Sequence, residues 1–268
     1  MSNKIYFLSD FHLGAPDYAS SLQREKIIVE FLDSIKQDAR EIFIVGDMFD
    51  FWYEYRKVVP KGFVRLLGKL AELSDSGIAM HFFVGNHDMW MQDYLLKELN
   101  IQVYFEPKEF ERNGKRFLVG HGDGLGPGDH GYKRLKKIFR NPVCQWMFGI
   151  LPPRVGMSIA NYMSRRSRIK TGFSEETFLG EDKEWLIIYC KEVLKKENFD
   201  FFVFGHRHLA IDFRLSSAST AERRAGNDAE ARYINLGDWI RFHTYAVFDG
   251  QSLELKRYKG NEEIIRNK

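Results

Sequence analysis

Five short apolar segments of the chain each end in a side chain that can bind a metal ion. The segments are KIYFLSD, EIFIVGD, HFFVGN, RFLVGH and FFVFGH, and their last residues are Asp10, Asp47, Asn86, His121 and His206. A mixture of carboxylate, amide and imidazole ligands without cysteine is typical of catalytic Mn, Fe or Zn sites rather than of structural zinc. The sequence therefore predicts a catalytic metal centre assembled from five separate segments.

Two of these residues are followed by a second potential ligand two positions further on. His12 follows Asp10, and His208 follows His206. A spacing of two places both side chains on the same face of an extended chain, so each pair can reach a common site. Asp47 is the natural bridging ligand, because two cations about 3.5–4 Å apart need a shared anion to offset their repulsion. We expect two divalent cations, Mn²⁺ as the first choice, with Fe or Zn also suited to this ligand set.

The five segments have the composition of buried β-strands. Each is short, rich in Ile, Val, Phe or Tyr and closed by Gly or Ser, which permits a sharp turn. Amphipathic stretches at Leu22–Ile35 and Phe63–Leu73 lie between the first strands. This alternation predicts an α/β fold with a parallel sheet, at one edge of which the ligands collect. Strands resume at Phe201, and we expect the last four to form an antiparallel ribbon.

The middle of the chain has a different pattern. Residues 126–198 contain no strand-like segment but show helical spacing, which predicts a helical cap insertion within a single domain of residues 1–268. The net charge of the chain is +3, yet residues 126–170 hold ten Lys or Arg against the single acid Asp129. A basic insertion of this kind favours an anionic ligand, an anionic lipid surface or nucleic acid.

The length, hydrophobic content and cysteine number of the chain fit an intracellular enzyme. The chain has 268 residues, 44% of them hydrophobic, and two cysteines without paired spacing. We find no signal-like N-terminus and no apolar stretch of membrane-spanning length, so a cytoplasmic location is expected. Peripheral contact with the cytoplasmic face of the inner membrane is compatible with the basic insertion.

The motifs D-x-H, GD-x-x-D, GN-H-D, GH and GH-x-H are all intact here, and together they resemble those of the calcineurin-like metallophosphoesterases. The resemblance implies a four-layer αββα sandwich. It implies one metal held by Asp10, His12, Asp47 and His208, and a second held by Asp47, Asn86, His121 and His206. It further implies that His87 and Asn86 stabilise the transition state and that Asp50 and Asp88 orient the ligands.

A narrower similarity concerns the segment after His121. HGDGLGPGDHGYKRLKK, MSRRS and LGDW resemble the UDP-2,3-diacylglucosamine pyrophosphohydrolases of lipid A synthesis. This implies water attack at the α-phosphorus of a glycolipid UDP-sugar, giving UMP and 2,3-diacylglucosamine 1-phosphate. The implied substrate-binding residues are Asp129, Tyr132, Arg165, Arg166 and Ser167. That group typically has GNRD where this chain has GNHD, so His87 would act either as an acid or as a charged clamp.

Other functions remain open at this point. The same metal chemistry would serve a soluble nucleotide diphosphate or a phosphodiester. A non-catalytic scaffold is disfavoured because no ligand of the motif is missing. No nucleic acid is expected, because the clustered Trp146, Met147 and Phe148 suit acyl chains better than a backbone-tracking groove. No obligate protein partner is evident.

Overall fold

Two six-stranded sheets pack face to face, with helices on their outer sides. The computed structural model describes residues 3–128, 130–171, 177–215 and 230–267, with side chains for all of these except 161 and 165–171. The strands are β1 (Lys4–Leu8), β2 (Ala39–Val45), β3 (Ala79–Phe83), β4 (Gln102–Tyr104), β5 (Lys108–Arg112), β6 (Lys115–Gly120), β7 (Phe201–Phe204), β8 (Ala210–Leu215), β9 (Ala231–Leu236), β10 (Thr244–Phe248), β11 (Leu253–Arg257) and β12 (Ile265–Arg266). The helices are α1 (Tyr18–Ile35), α2 (Val64–Asp75), α3 (Tyr94–Leu99), α4 (His130–Phe139), α5 (Pro142–Ile150), α6 (Pro153–Thr171) and α7 (Trp185–Leu194).

The first sheet has the order β11-β10-β1-β2-β3-β4 and the second β12-β8-β9-β7-β6-β5. In the first sheet β1 to β4 are parallel, and α1, α2 and α3 connect them on the outer face. In the second sheet β6, β7 and β9 are parallel, and α7 packs on the outer face. The predicted four-layer αββα arrangement is confirmed.

Alternation along β1 shows how one strand serves two layers. Phe7 faces the second sheet, where its ring centroid lies 5.9 Å from that of Phe117. Tyr6 points the opposite way, and its ring centroid lies 6.3 Å from that of Phe31 on α1. Because both faces of β1 are covered, its sequence is apolar at successive positions rather than at alternate ones. The metal-binding residues that follow such strands are therefore fixed by a core on each side.

Two expectations about strand pairing are wrong. β6 lies in the second sheet and does not continue the parallel first sheet. The last four predicted strands do not form one antiparallel ribbon, since β7 pairs with β9 in parallel and β10 pairs with β1 in the first sheet. The ligands accordingly stand at an edge formed by two sheets. Strands of both sheets bury apolar side chains in the same way, so the apolar pattern of a strand does not indicate which sheet it joins.

The predicted insertion contains helices and, among its described residues, no strand. Leu186, Ile187 and Cys190 of α7 are buried in the core of the second sheet, so this helix packs on the main body. The helices α4 and α5 have no fully buried residues. They contact the body through hydrogen bonds, one of which joins Tyr53 Oη to Gln145 O over 2.7 Å, and through partly buried rings, with the Phe148 centroid 4.5 Å from that of Trp90. Among the described helices, none combines the length and apolarity needed to cross a bilayer. That residues 126–198 form one helical cap stays a prediction.

Candidate metal centre

Glycines allow the strand ends to approach one another closely. Gly85 precedes Asn86, and a methyl group in place of its hydrogen would overlap the carboxylate of Asp47. Gly205 precedes His206, and a methyl group there would overlap the carboxylate of Asp10. A glycine in front of the ligand thus lets a neighbouring strand's carboxylate enter the same space. This accounts physically for the glycines of Gly85-Asn86 and Gly205-His206.

The first ligand cluster lies between β1, β2 and β7. The Nε2 atom of His12 is 3.6 Å from Asp10 Oδ1, 3.6 Å from Asp47 Oδ2 and 3.1 Å from His208 Nε2. His208 Nε2 is 3.5 Å from Asp10 Oδ1. Within the described part of the chain, the buried atoms Asp10 Oδ1 and Asp47 Oδ2 accept no hydrogen bond. Buried carboxylate oxygens are normally satisfied, so these two atoms fit a bound cation.

The second cluster shares Asp47 with the first. Asp47 Oδ2 is 3.3 Å from His121 Nε2, which lies 3.1 Å from Asn86 Oδ1, and His206 completes the group. His121 Nδ1 lies 2.9 Å from the carbonyl oxygen of Val45. Because a carbonyl only accepts, Nδ1 carries the hydrogen of the neutral imidazole, and loss of the second proton leaves Nε2 with a lone pair for a metal. The position of Asp47 between the clusters suits the bridging role predicted for it.

Ligands in both clusters have an unusual backbone conformation. The φ angles are 57° at Asp10, 44° at His12, 52° at Asp47, 69° at His206 and 49° at His208. All five lie in the left-handed region, which costs an L-residue about 1 kcal/mol or more. Hydrogen bonds from His12 N to Asp47 O (2.9 Å) and from His206 N to Asp10 Oδ2 (3.0 Å) hold these turns. Strained backbone of this kind clusters at functional sites.

His87 and Asp50 lie beside the first cluster. His87 Nδ1 is 2.9 Å from the carbonyl oxygen of Asp50 and 3.5 Å from its Oδ1 atom, which is 3.7 Å from His12 Nδ1. Ser164 of α6 donates a hydrogen bond of 3.0 Å to Asp50 Oδ2. The Nδ1–H of His87 donates to the carbonyl, so Nε2 is the nitrogen available to a bound phosphate. Burial lowers the pKa of His87.

Asp88 holds the backbone of two loops that carry metal-binding residues. Asp88 accepts hydrogen bonds of 2.8 Å from the backbone of Gly85 and of Met48, so it fixes the loops that carry Asn86 and Asp47. Burial and the charge of Asp47 raise the pKa of Asp88 to about 7.

Asp238 lies 3.2 Å from His208 Nδ1 and was not among the predicted site residues. The signal for it was present, since Gly237-Asp238 follows β9 as Gly46-Asp47 follows β2.

The electrostatics of the site favour positive charge. Burial lowers the pKa values of His12 and His121, but the neighbouring carboxylates outweigh it and raise both to about 10. Burial and the nearby His121 lower the pKa of His206 to about 4. Although burial opposes ionisation of Asp47, the surrounding histidines hold its pKa well below its usual range. A carboxylate-rich pocket that raises imidazole pKa values in this way is suited to hold cations.

The structure describes one of the five predicted substrate-binding residues in full. Tyr132 donates a hydrogen bond of 2.6 Å to Asp123, and its ring centroid is 6.5 Å from that of His206. It therefore lies next to the second cluster. The backbone at positions 165–167 is part of α6. The side chains of Arg165, Arg166 and Ser167, and the whole of Asp129, lie outside the described residues.

An apolar cavity opens beside His87. It has a volume of about 270 Å³ and lies between the main body and the helices α4, α5 and α6; we call it the chamber. Its polar end is formed by Asp50, Asn86, His87, Tyr132 and Ser164. The rest of its wall is apolar, and is formed by Phe51, Trp52, Met89, Trp90, Leu135, Phe139, Phe148, Ile159, Ala160 and Met163. A hydrocarbon group bound here would lie directly beside the metal-binding residues.

Comparison with known proteins agrees with this geometry. Residues 3–210 match the family model described as calcineurin-like phosphoesterase. The chain therefore belongs to the calcineurin-like phosphoesterase family and is a metal-dependent hydrolase, and the predicted resemblance is confirmed.

Within that family it is similar to a Porphyromonas gingivalis protein named UDP-2,3-diacylglucosamine hydrolase, with 39% identity over 98% of this chain and 100% of the relative. An Aeromonas hydrophila protein of the same name is 27% identical over 87% of this chain and 90% of the relative. Among solved structures, the phosphoesterase Yfce from E. coli has a TM-score of 0.42 and 16% identity, covering 93% of this chain and 90% of that one.

Proposed function

We propose that this chain hydrolyses the pyrophosphate bond of UDP-2,3-diacylglucosamine, releasing UMP and 2,3-diacylglucosamine 1-phosphate. Its membership of the phosphoesterase family and its similarity to the named relatives support this reaction. The observation that carries the substrate assignment is the chamber, because an apolar cavity of about 270 Å³ beside a phosphoester site is suited to an acyl chain. A soluble nucleotide would leave that wall exposed to water.

Two divalent cations, most suitably Mn²⁺, would be held as the two clusters suggest, with Asp47 shared between them. When bound, such a pair lowers the pKa of water and offsets the charge of the phosphate. Asn86 and His87 border the chamber, where they would contact the non-bridging oxygens of the α-phosphate. Asp50 would keep the proton of His87 on Nδ1, and Asp88 would keep the loops of Asn86 and Asp47 in place.

Tyr132 is proposed to contact the sugar phosphate, since it lies beside His206. We propose the same role for Asp129, Arg165, Arg166 and Ser167 on the basis of their motif positions. The leaving group is a phosphate with a second pKa of about 6, so its departure requires little proton transfer. His87 would then act as a hydrogen-bond donor and charge clamp rather than as an obligatory acid. Since burial lowers its pKa, the negative charge of the bound phosphate must stabilise the second proton on Nε2.

The test is release of UMP from UDP-2,3-diacylglucosamine in the presence of Mn²⁺. UDP-N-acetylglucosamine and a bis-aryl phosphodiester serve as competing substrates, and Asp47→Ala is the blank. Turnover that depends on the acyl chains supports the proposal. Equal turnover of the two UDP-sugars would instead favour a soluble nucleotide substrate, and turnover of the diester alone would favour a phosphodiesterase.

We further propose that the protein docks on the cytoplasmic face of the inner membrane. The α5 helix exposes four large apolar side chains, with 61% exposure at Val143, 67% at Trp146, 58% at Met147 and 63% at Ile150. The neighbouring helix α4 exposes basic residues, among them Arg134 and Lys137. Apolar side chains flanked by positive charge are suited to anionic headgroups.

Sedimentation with phosphatidylglycerol vesicles tests the docking. Trp146→Ser with Ile150→Ser is expected to abolish sedimentation, whereas Leu96→Ser on α3, with 42% exposure, is the matched control and should leave it unchanged. Equal sedimentation of all three proteins would contradict docking through α5.

A further inference from the structure

An ion pair with no exposure to solvent lies directly behind the metal-binding loop of β7. Arg207 stands between the ligands His206 and His208, and the side chains of Arg207 and Glu184 are both 0% exposed. The Nε atom of Arg207 donates to Glu184 Oε1, and Nη2 donates to Glu184 Oε2 over 3.2 Å. Nη2 also donates to Thr177 O over 2.9 Å, and the guanidinium carbon lies 4.3 Å from the centroid of the Trp185 ring.

The pair is expensive to bury, because both charges lose their hydration. An apolar pair of similar volume would pack at least as well at this position, so stability alone does not explain it. What distinguishes the position is its neighbours in sequence. The φ angles of 69° at His206 and 49° at His208 place left-handed turns on both sides of Arg207. A short segment with two such turns needs an external anchor to keep its shape.

We propose that Glu184 and Arg207 are positioning residues that hold the Gly205–His208 loop in this conformation and thereby set the affinity of the centre for its cations. The inference concerns the metal site alone and does not depend on the identity of the substrate. Gly205 is held from within the sheets, by a hydrogen bond of 2.5 Å from Asn235 to its carbonyl oxygen. Arg207 ties the same loop to the start of α7, an element outside both sheets.

This arrangement explains how one side chain can affect two ligands. The guanidinium has hydrogen bonds to two different residues of the segment before α7, so it cannot rotate freely about its own axis. Fixing the backbone at residue 207 restricts ψ of His206 and φ of His208 together. Loss of the anchor lets both imidazoles leave the geometry in which they face the carboxylates. Weakening of one cluster by a backbone shift would therefore be accompanied by weakening of the other.

The experiment compares Arg207→Leu with Arg232→Leu. Arg232 makes a similar two-point pair, with two bonds of 2.6 Å to Asp212, but it lies opposite Phe201 at the start of β7, away from the metal-binding edge. Mn²⁺ affinity is measured by competition with a chelator, the Co²⁺ visible spectrum is recorded, and unfolding midpoints are determined in urea without metal. We expect Arg207→Leu to bind Mn²⁺ about 10–100-fold more weakly and to have an altered Co²⁺ spectrum.

The control Arg232→Leu should unfold at a lower urea concentration while keeping its metal affinity and Co²⁺ spectrum. Arg207→Lys retains the charge without the second hydrogen bond and should recover part of the affinity. Glu184→Gln is measured in parallel, so that the comparison does not depend on the folding of one variant, and should show the same loss as Arg207→Leu. Wild-type affinity and spectrum in Arg207→Leu or in Glu184→Gln would overturn the proposal.

Discussion

Filling the chamber should strongly lower activity towards the acylated substrate while sparing the phosphoester chemistry. Ala160 lies on α6 in the chamber wall and is 7% exposed. In Ala160→Phe the added ring occupies about 100 Å³, against about 270 Å³ of cavity. That volume corresponds to about four methylene groups of an acyl chain, each worth about 0.8 kcal/mol when buried. The loss of about 3 kcal/mol predicts a decrease in kcat/KM of about 100-fold.

The assay follows UMP release from UDP-2,3-diacylglucosamine beside hydrolysis of a bis-aryl phosphodiester. Ser158→Phe adds a ring to the same helix at an exposed position outside the chamber wall and should behave like the wild type. Acyl chains shortened by about four carbons should be hydrolysed by Ala160→Phe almost as well as by the wild type. A loss of equal size on the diester, or no loss on the acylated substrate, would refute the assignment of the chamber to an acyl chain.

Three further predictions concern the metal centre. Asp47→Asn removes the charge shared by the two clusters and should lower activity by about 10³-fold or more. After dialysis the variant should retain fewer than two metal ions per chain. Retention of both ions would contradict the bridging role. His87→Ala should lower kcat by about 10²–10³-fold, whereas His87→Arg, which keeps a cationic donor, should retain most UMP release; equal losses in the two variants would show that His87 must donate a proton. Metal binding at pH 7.5 should release protons, because without metal the pKa values of His12 and His121 are raised to about 10. The affinity for metal should therefore increase with pH. In the metal-free protein the protonated imidazoles stabilise the fold. This stabilisation is fully present below about pH 6.5 and should be lost as the pH rises through about 10. Calorimetry in buffers of different ionisation enthalpy measures the release, and a binding enthalpy independent of buffer would rule it out.

Much of the site could be predicted from sequence because its ligands depend on local features. A strand end, a glycine and a ligand are adjacent in the chain, so Asp47 and His121 could be recognised without knowing which strands are neighbours. The same reasoning placed β6 in the wrong sheet and missed β4 and β5. The β5 strand is a charged edge strand, KEFER, in which Phe110 alone is buried, and its pairing with β6 is decided by tertiary contacts.

Contacts between distant parts of the chain were also beyond the reach of sequence patterns. Glu184 and Arg207 are 23 residues apart, and each taken alone has the appearance of an ordinary surface charge. The contact of Ser164 with Asp50 spans 114 positions. Nothing in local periodicity predicts such pairs, because they follow from how α6 and the start of α7 pack on the body. The packing of α7 on the core of the second sheet has the same origin.

The left-handed backbone conformation of the metal ligands implies that the stability of the fold is reduced where catalysis requires a ligand. At His12, with a φ angle of 44°, glycine is the residue that the backbone itself would favour. His12→Gly should therefore melt at a higher temperature than His12→Ala in the absence of metal, although both lack the ligand. Laboratory selection for heat resistance alone, without a demand for turnover, would be drawn towards such replacements. Continued selection for metal-dependent hydrolysis is what keeps side chains at turns where the polypeptide would fold more easily without them.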